Sequence, residues 1–72
     1  MLRFPSVTIL LNGAPCEVPG PVTVSALLDL LEIDGRRVAV EHNRVVVKRA
    51  AFGATEVHEG DEIEVVNFVG GG

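Results

Sequence analysis

One cysteine is all the sequence holds, and that scarcity sets a first boundary. Cys16 has no partner for an internal disulfide, and His42 and His58 lie too scattered to join it at metal-ligand spacing. A reducing, cytoplasmic setting is the expectation, with no metal and no bound cofactor. Basic residues are scarce as well. Six Lys and Arg against ten Asp and Glu leave a formal charge of −4, which repels a phosphate backbone and supplies no basic stripe for RNA or DNA. Nucleic acid is disfavoured, whereas a protein partner with a basic surface is compatible with that balance. No apolar run reaches membrane-spanning length, and Met1-Leu2-Arg3-Phe4-Pro5 lacks the apolar core of an export signal. A soluble, unexported protein is expected.

Length excludes more. Seventy-two residues allow one domain, whose modest core leaves little room for a deep internal active site. The apolar fraction of 47% is that of a folded chain rather than a disordered one.

What is present reads as alternating short elements. Val7 to Leu11 alternates and then meets Asn12-Gly13, a strong hairpin signal, so Ala14 to Val18 should return antiparallel. Pro19-Gly20-Pro21 should stop that ladder, because proline has no amide hydrogen to donate. Val24, Leu27, Leu28 and Leu31 then fall at i, i+3, i+4 and i+7, the apolar stripe of a short amphipathic helix. Thr23 is its expected N-cap, and Asp34-Gly35 its expected stop, with glycine taking the left-handed conformation.

Val38 to His42 predicts a strand with Val38 and Val40 inward and Glu41 outward, followed by a turn at Asn43-Arg44 and a short continuation over Val45 to Val47. Lys48 to Ala54 loses clean periodicity, which predicts a loop with one helical turn near Arg49 to Phe52. Thr55 to Val57 suits a minor strand. After a turn at Glu59-Gly60-Asp61, Glu62 to Phe68 is the last long strand, with Ile63 and Val65 toward the helix. Its other face begins acidic at Glu62 and Glu64 and turns apolar at Val66 and Phe68.

One hairpin, one helix and further strands, with the first and last strands paired, predict an α+β fold: a mixed sheet of four to five strands packed on one short helix. That is the ubiquitin-like β-grasp arrangement, over residues 1–68. Residues 69–72, Val69-Gly70-Gly71-Gly72, are expected to form a flexible glycine arm, since glycine loses the most conformational freedom on folding. Extended, four residues reach roughly 13 Å, enough to thread a narrow pocket of another protein. An inert tail is the alternative reading of the same residues.

The ordered set of Leu11-Asn12-Gly13, the helix from Thr23-Val24 to Leu31, Val38-Ala39-Val40-Glu41-His42-Asn43, Val47-Lys48-Arg49, Glu59-Gly60-Asp61-Glu62-Ile63-Glu64-Val65-Val66 and Phe68-Val69-Gly70-Gly71-Gly72 resembles the ThiS family, the sulfur carriers of thiamine biosynthesis. The likeness spans nearly the whole chain. Many members place proline before the arginine that follows the third strand and an aromatic soon after; this chain has Lys48 there and reaches Phe52 later.

The resemblance implies a protein co-substrate rather than an enzyme, with no catalytic residue of its own. An E1-like (ThiF-like) adenylating enzyme, using Mg-ATP, would activate the carboxylate of Gly72. Sulfur from a cysteine persulfide would displace AMP, and the resulting thiocarboxylate would pass to a ThiG-like thiazole synthase. Gly70 and Gly71 would thread into the partner, and Val66, Phe68, Val69, Glu62 and Glu64 are the candidate docking residues of a carrier that is monomeric when free. Phe68 packing on Leu10 of its own sheet is the alternative for that residue. Cys16 reads as a small packing residue, and His42 and His58 have no nucleophile beside them. A carrier for molybdopterin synthase, a ubiquitin-like modifier and a non-catalytic β-grasp binding module remain the other functions compatible with these residues.

Overall fold

The computed structural model describes residues 5–68. Strands β1 (Ser6–Leu11), β2 (Ala14–Pro19), β4 (Val38–His42), β5 (Val45–Val47) and β7 (Glu62–Asn67) form a five-stranded sheet in the order β2-β1-β7-β4-β5, and β3 (Val22–Thr23) pairs with β6 (Glu56–Val57) in a two-stranded sheet. The helix α1 (Val24–Leu30) lies between. β1 and β7 run parallel, Leu10 beside Glu62 and Leu11 beside Ile63, and every other pairing is antiparallel. The mixed sheet with one helix is the α+β, β-grasp architecture that the order of elements predicts.

Local chemistry explains most boundaries. Asn12 and Gly13 have φ of 50° and 84°, the doubly left-handed turn whose twist matches a two-residue hairpin. Thr23 is extended, and its hydroxyl accepts from the Ala26 amide at 3.1 Å. The Val24 and Ser25 amides donate to the Thr55 and Phe52 carbonyls, so the first turn of the helix keeps few orphan donors. That segment, together with the β3–β6 pair, ties the loop after β5 to the helix start.

Three sequence expectations are corrected. The helix stops earlier than Asp34-Gly35: Glu32 takes the left-handed position at φ 58°, its amide bonds the Asp29 carbonyl, and the Ile33 amide bonds the Leu28 carbonyl. This is a complete Schellman closure with a glutamate where glycine is usual. Asp34 instead caps a single 3-10 turn, Gly35–Arg37. Gly35 lies close against Leu28 and the Phe52 ring, where a Cβ would meet both at 3.4 Å, an ordinary van der Waals contact. Next, Val45–Val47 is no continuation of β4 but its antiparallel return, after a turn in which Asn43 and Arg44 both have positive φ. Finally, Pro19 does not stop β2 but belongs to it.

Hydrogen-bonded pairs alternate from a two-residue turn, so Pro15 and Pro19, opposite Leu10 and Ser6, fall where the backbone nitrogen faces away from β1. The β2 edge is thus poor in donors. By the same count Val46, opposite Glu41, turns its amide and carbonyl to the open β5 edge.

The core is the inner face of the sheet against the helix. Ile9, Val18, Val24, Leu27, Leu28, Val38, Val40, Phe52, Val57 and Ile63 are buried, and half-buried Cys16 packs against them, as expected of a small packing residue. Gly20 closes the base of the hairpin so tightly that a Cβ would come within 2.7 Å of a Val7 methyl. Among the described residues no helix is long and apolar enough to cross a membrane, and no group of three or more His, Cys, Asp or Glu could hold a metal ion.

Candidate functional site

With one helix and five strands, only one face of the large sheet is covered. The other presents alternate residues of the same strands, and register decides which of them meet. Leu10 stands beside Glu62, Glu41 opposite Glu64, Glu41 also opposite Val46, and Ala39 opposite Val66. The result is a surface in two halves. One half holds Glu41, Glu62 and Glu64 with Leu10 and Arg44, around an open depression of ≈ 440 Å³. The other holds Ala39, Val66 and Phe68, with Val66 57% and Phe68 56% exposed.

The acidic half is held in place from one end. Asp61 Oδ2 lies 2.7 Å from the His42 ring nitrogen and accepts from the His58 amide at 2.8 Å, and the Asn43 side-chain amide reaches Asp61 Oδ1. The side-chain Oδ1 of Asn43 in turn accepts from the Glu62 backbone amide at 2.9 Å. This network clamps the β4–β5 turn onto the start of β7 and sets Arg44 3.5 Å from Glu62. Partial burial would raise the Asp61 carboxyl, but the hydrogen bonds from His58, His42 and Asn43 outweigh it and hold the group below its ordinary value.

A family model described as the ThiS family matches residues 9–72. The chain belongs to the ThiS family. A crystal structure of the thiamine biosynthesis protein ThiS from Geobacter metallireducens superposes with a TM-score of 0.81 at 39% identity, covering 92% of this chain and all of that one. The sulfur carrier protein ThiS of Bacillus subtilis (strain 168) is 34% identical over 50 residues, 69% of this chain and 76% of that protein. A thiazole synthase of Magnetococcus marinus is 45% identical over 62 residues, which are 86% of this chain but 19% of the synthase. This ThiS-family chain therefore spans about a fifth of the length of the thiazole synthases it matches.

Measured against the residues named for docking, the structure joins Glu62 and Glu64 in the acidic half and Val66 and Phe68 in the apolar half. Phe68 does not pack on Leu10: its amide donates to the Arg37 carbonyl at 3.2 Å, and Leu10 lies by Glu62 at the opposite end of β7. Val69, Gly70, Gly71 and Gly72 lie outside the described residues. Glu41, Ala39 and Val46 complete the surface and were not singled out. Glu41 was readable as outward, but its meeting with Glu64 depends on cross-strand register, which no single-strand periodicity contains.

That meeting has an energetic sign. Like charges directly opposite on an antiparallel pair are destabilising, and Glu62 lies two residues along the same face. Glu41 and Glu64 therefore gain nothing from one another, while Arg44 offsets the charge of Glu62. The depression, with Glu41, Glu62 and Glu64 around it, suits a cationic side chain of a partner.

Proposed function

We propose that this chain is a sulfur carrier for thiamine biosynthesis, a co-substrate whose Gly72 is adenylated and then thiocarboxylated. The observation that carries this reading is membership of the ThiS family across residues 9–72, and the curated and solved relatives named for thiamine biosynthesis favour that pathway over a molybdopterin or protein-modifying one. A carboxylate is a poor electrophile because its charge is shared by both oxygens. Transfer of AMP from Mg-ATP to the Gly72 carboxylate, with release of pyrophosphate, supplies the leaving group. The terminal sulfur of a cysteine persulfide then attacks the acyl carbon and AMP departs. Freeing the thiocarboxylate from that acyl disulfide takes two electrons from a thiol.

In this reading the adenylating enzyme and thiazole synthase are partners of the outer face. The arm, residues 69–72, follows directly on the apolar half, so a pocket that admits Gly72 must press its mouth against Val66 and Phe68. Desolvating such exposed apolar groups against a complementary socket would offset the ordering entropy of the arm. Gly70 and Gly71 suit a narrow channel because no Cβ meets its walls.

The test is the intact mass of the protein after incubation with Mg-ATP, a persulfide source and an adenylating enzyme of this family. A gain equal to exchange of one oxygen for sulfur, mapped to Gly72, is expected. An unchanged mass beside an enzyme that activates another carrier would refute the reading.

A further inference from the structure

The acidic composition hides an uneven placement of the cations. Four of the six Lys and Arg residues, Arg36, Arg37, Lys48 and Arg49, fall at one end of the molecule, where the chain leaves β7. Val38 is opposite Asn67, so Arg36 and Arg37 precede β4 at the end where β7 finishes, and the Arg37 carbonyl accepts from the Phe68 amide. Val47 is opposite Val40, so Lys48 and Arg49 continue past β5 toward that same end. The Phe52 ring, packed 3.4 Å from the place of a Cβ on Gly35, holds the two cationic segments side by side. Arg36 is engaged by Asp34, with its side chain 3.0 Å from the carboxylate. Arg37, Lys48 and Arg49 are exposed and make no ion pair among the described residues.

From this placement, and resting on the carrier reading above, we propose that Arg37, Lys48 and Arg49 form a cationic collar at the root of the arm that docks on an acidic rim around the adenylating enzyme's pocket. The carboxylates Glu41, Glu62 and Glu64 lie at the other end of the face, so the two charge signs are separated and the carrier can be oriented as well as attracted. The collar addresses the rim and not the nucleotide within. An extended arm of four residues puts the reacting carboxylate up to roughly 13 Å from its root, beyond the Debye length of about 8 Å at physiological salt. At physiological salt, carboxylates at the mouth therefore act on the collar more strongly than phosphates at the far end of the extended arm.

The test is adenylation of the full chain, followed as pyrophosphate exchange at low and physiological salt. The variant carrying Arg37→Glu, Lys48→Glu and Arg49→Glu is expected to raise KM for the carrier by about tenfold or more at low salt, with kcat nearly unchanged and the gap closing as salt rises. The variant Arg37→Lys, Lys48→Arg, Arg49→Lys should restore the low KM; failure to do so would show that shape and not charge matters, and overturn the collar. An unmoved KM in the reversal variant, with the unaltered chain turned over normally, would also overturn it and leave the carrier reading intact. No turnover of the unaltered chain would overturn the carrier reading and the collar with it. Retention of the unaltered chain, but not the reversal variant, on polyuridylate at physiological salt would assign the cations to nucleic acid and overturn the protein-rim proposal.

Discussion

The two faces of the large sheet are built from the same strands, alternate residue by alternate residue, and they have opposite characters. On the inner face Ile9, Val40 and Ile63 are 1% exposed or less, closed in by Leu27 and Leu28 of the helix. On the outer face their immediate neighbours Leu10 and Glu64 are exposed and Glu41 is half-buried, with Glu41 and Glu64 set opposite one another against their own repulsion. The contrast separates what folds the chain from what another protein can read. The inner face asks only for apolar volume that fits, and the outer face keeps a charge arrangement that folding alone disfavours.

The strongest test of that separation is on the inner side. Leu27→Ala removes a side chain with no exposure at all and is expected to cost about 2–5 kcal/mol, read as a lower midpoint in urea unfolding with the slope unchanged. A loss below 1 kcal/mol would mean that the helix is not the lid of the core.

A smaller effect is expected from acid. Asp61 titrates below its ordinary 3.8 in the folded state, so its stabilising contribution is fully present above that value and is lost as pH falls through the depressed folded one. Tm should therefore drop on acidification below about pH 4, and Asp61→Asn should flatten that part of the profile. Asp34 titrates in the same range, drawn to about 2 chiefly by hydrogen bonds from the Arg36 side chain and amide. Because Asp34 is at the surface, Asp34→Asn should flatten the profile less than Asp61→Asn; the reverse order would contradict the clamp role of Asp61.

On the outer face the sign should invert. Glu64→Lys, by turning a like-charge pair into an opposite one, is expected to stabilise the fold by about 0.2–1 kcal/mol in the same urea assay while raising KM for adenylation. The smallest change in stability is expected from Val66→Ser with Phe68→Ser, within about 0.5 kcal/mol of the unaltered protein, accompanied by weaker association with the adenylating enzyme in a binding titration. Destabilisation by 2 kcal/mol or more would place these residues with the core and erase the distinction between the faces.

The inner face was legible in the sequence because its signal is local. The spacing of Val24, Leu27, Leu28 and Leu31, the alternation through Ile63 and Val65, and Asn12-Gly13 between apolar runs each state their own geometry. Thr23 was readable as the N-cap for the same reason. The left-handed stop at Glu32 was not, because the preference there is for glycine and tertiary packing of Ile33 overrode it. The pairing of Val22–Thr23 with Glu56–Val57 was missed, as two-residue strands carry no period. Of the outer face, Glu62, Glu64, Val66 and Phe68 were legible from one strand and Glu41 as outward; its meeting with Glu64, and the places of Ala39 and Val46, were not, since a surface made of three strands is written in their register.

The two edges of the sheet have a consequence for how this chain behaves when crowded. β2 turns Pro15 and Pro19 outward, whereas β5 offers the bare backbone of Val46 beside the exposed side chain of Val45. A strand that adds to the sheet therefore has one place to go. If two molecules met through β5, each would present only its proline-bearing edge afterwards, and growth would stop at a closed pair instead of running on into a fibre. Lopsidedness of this kind lets a small chain keep one edge open without becoming a seed for polymer.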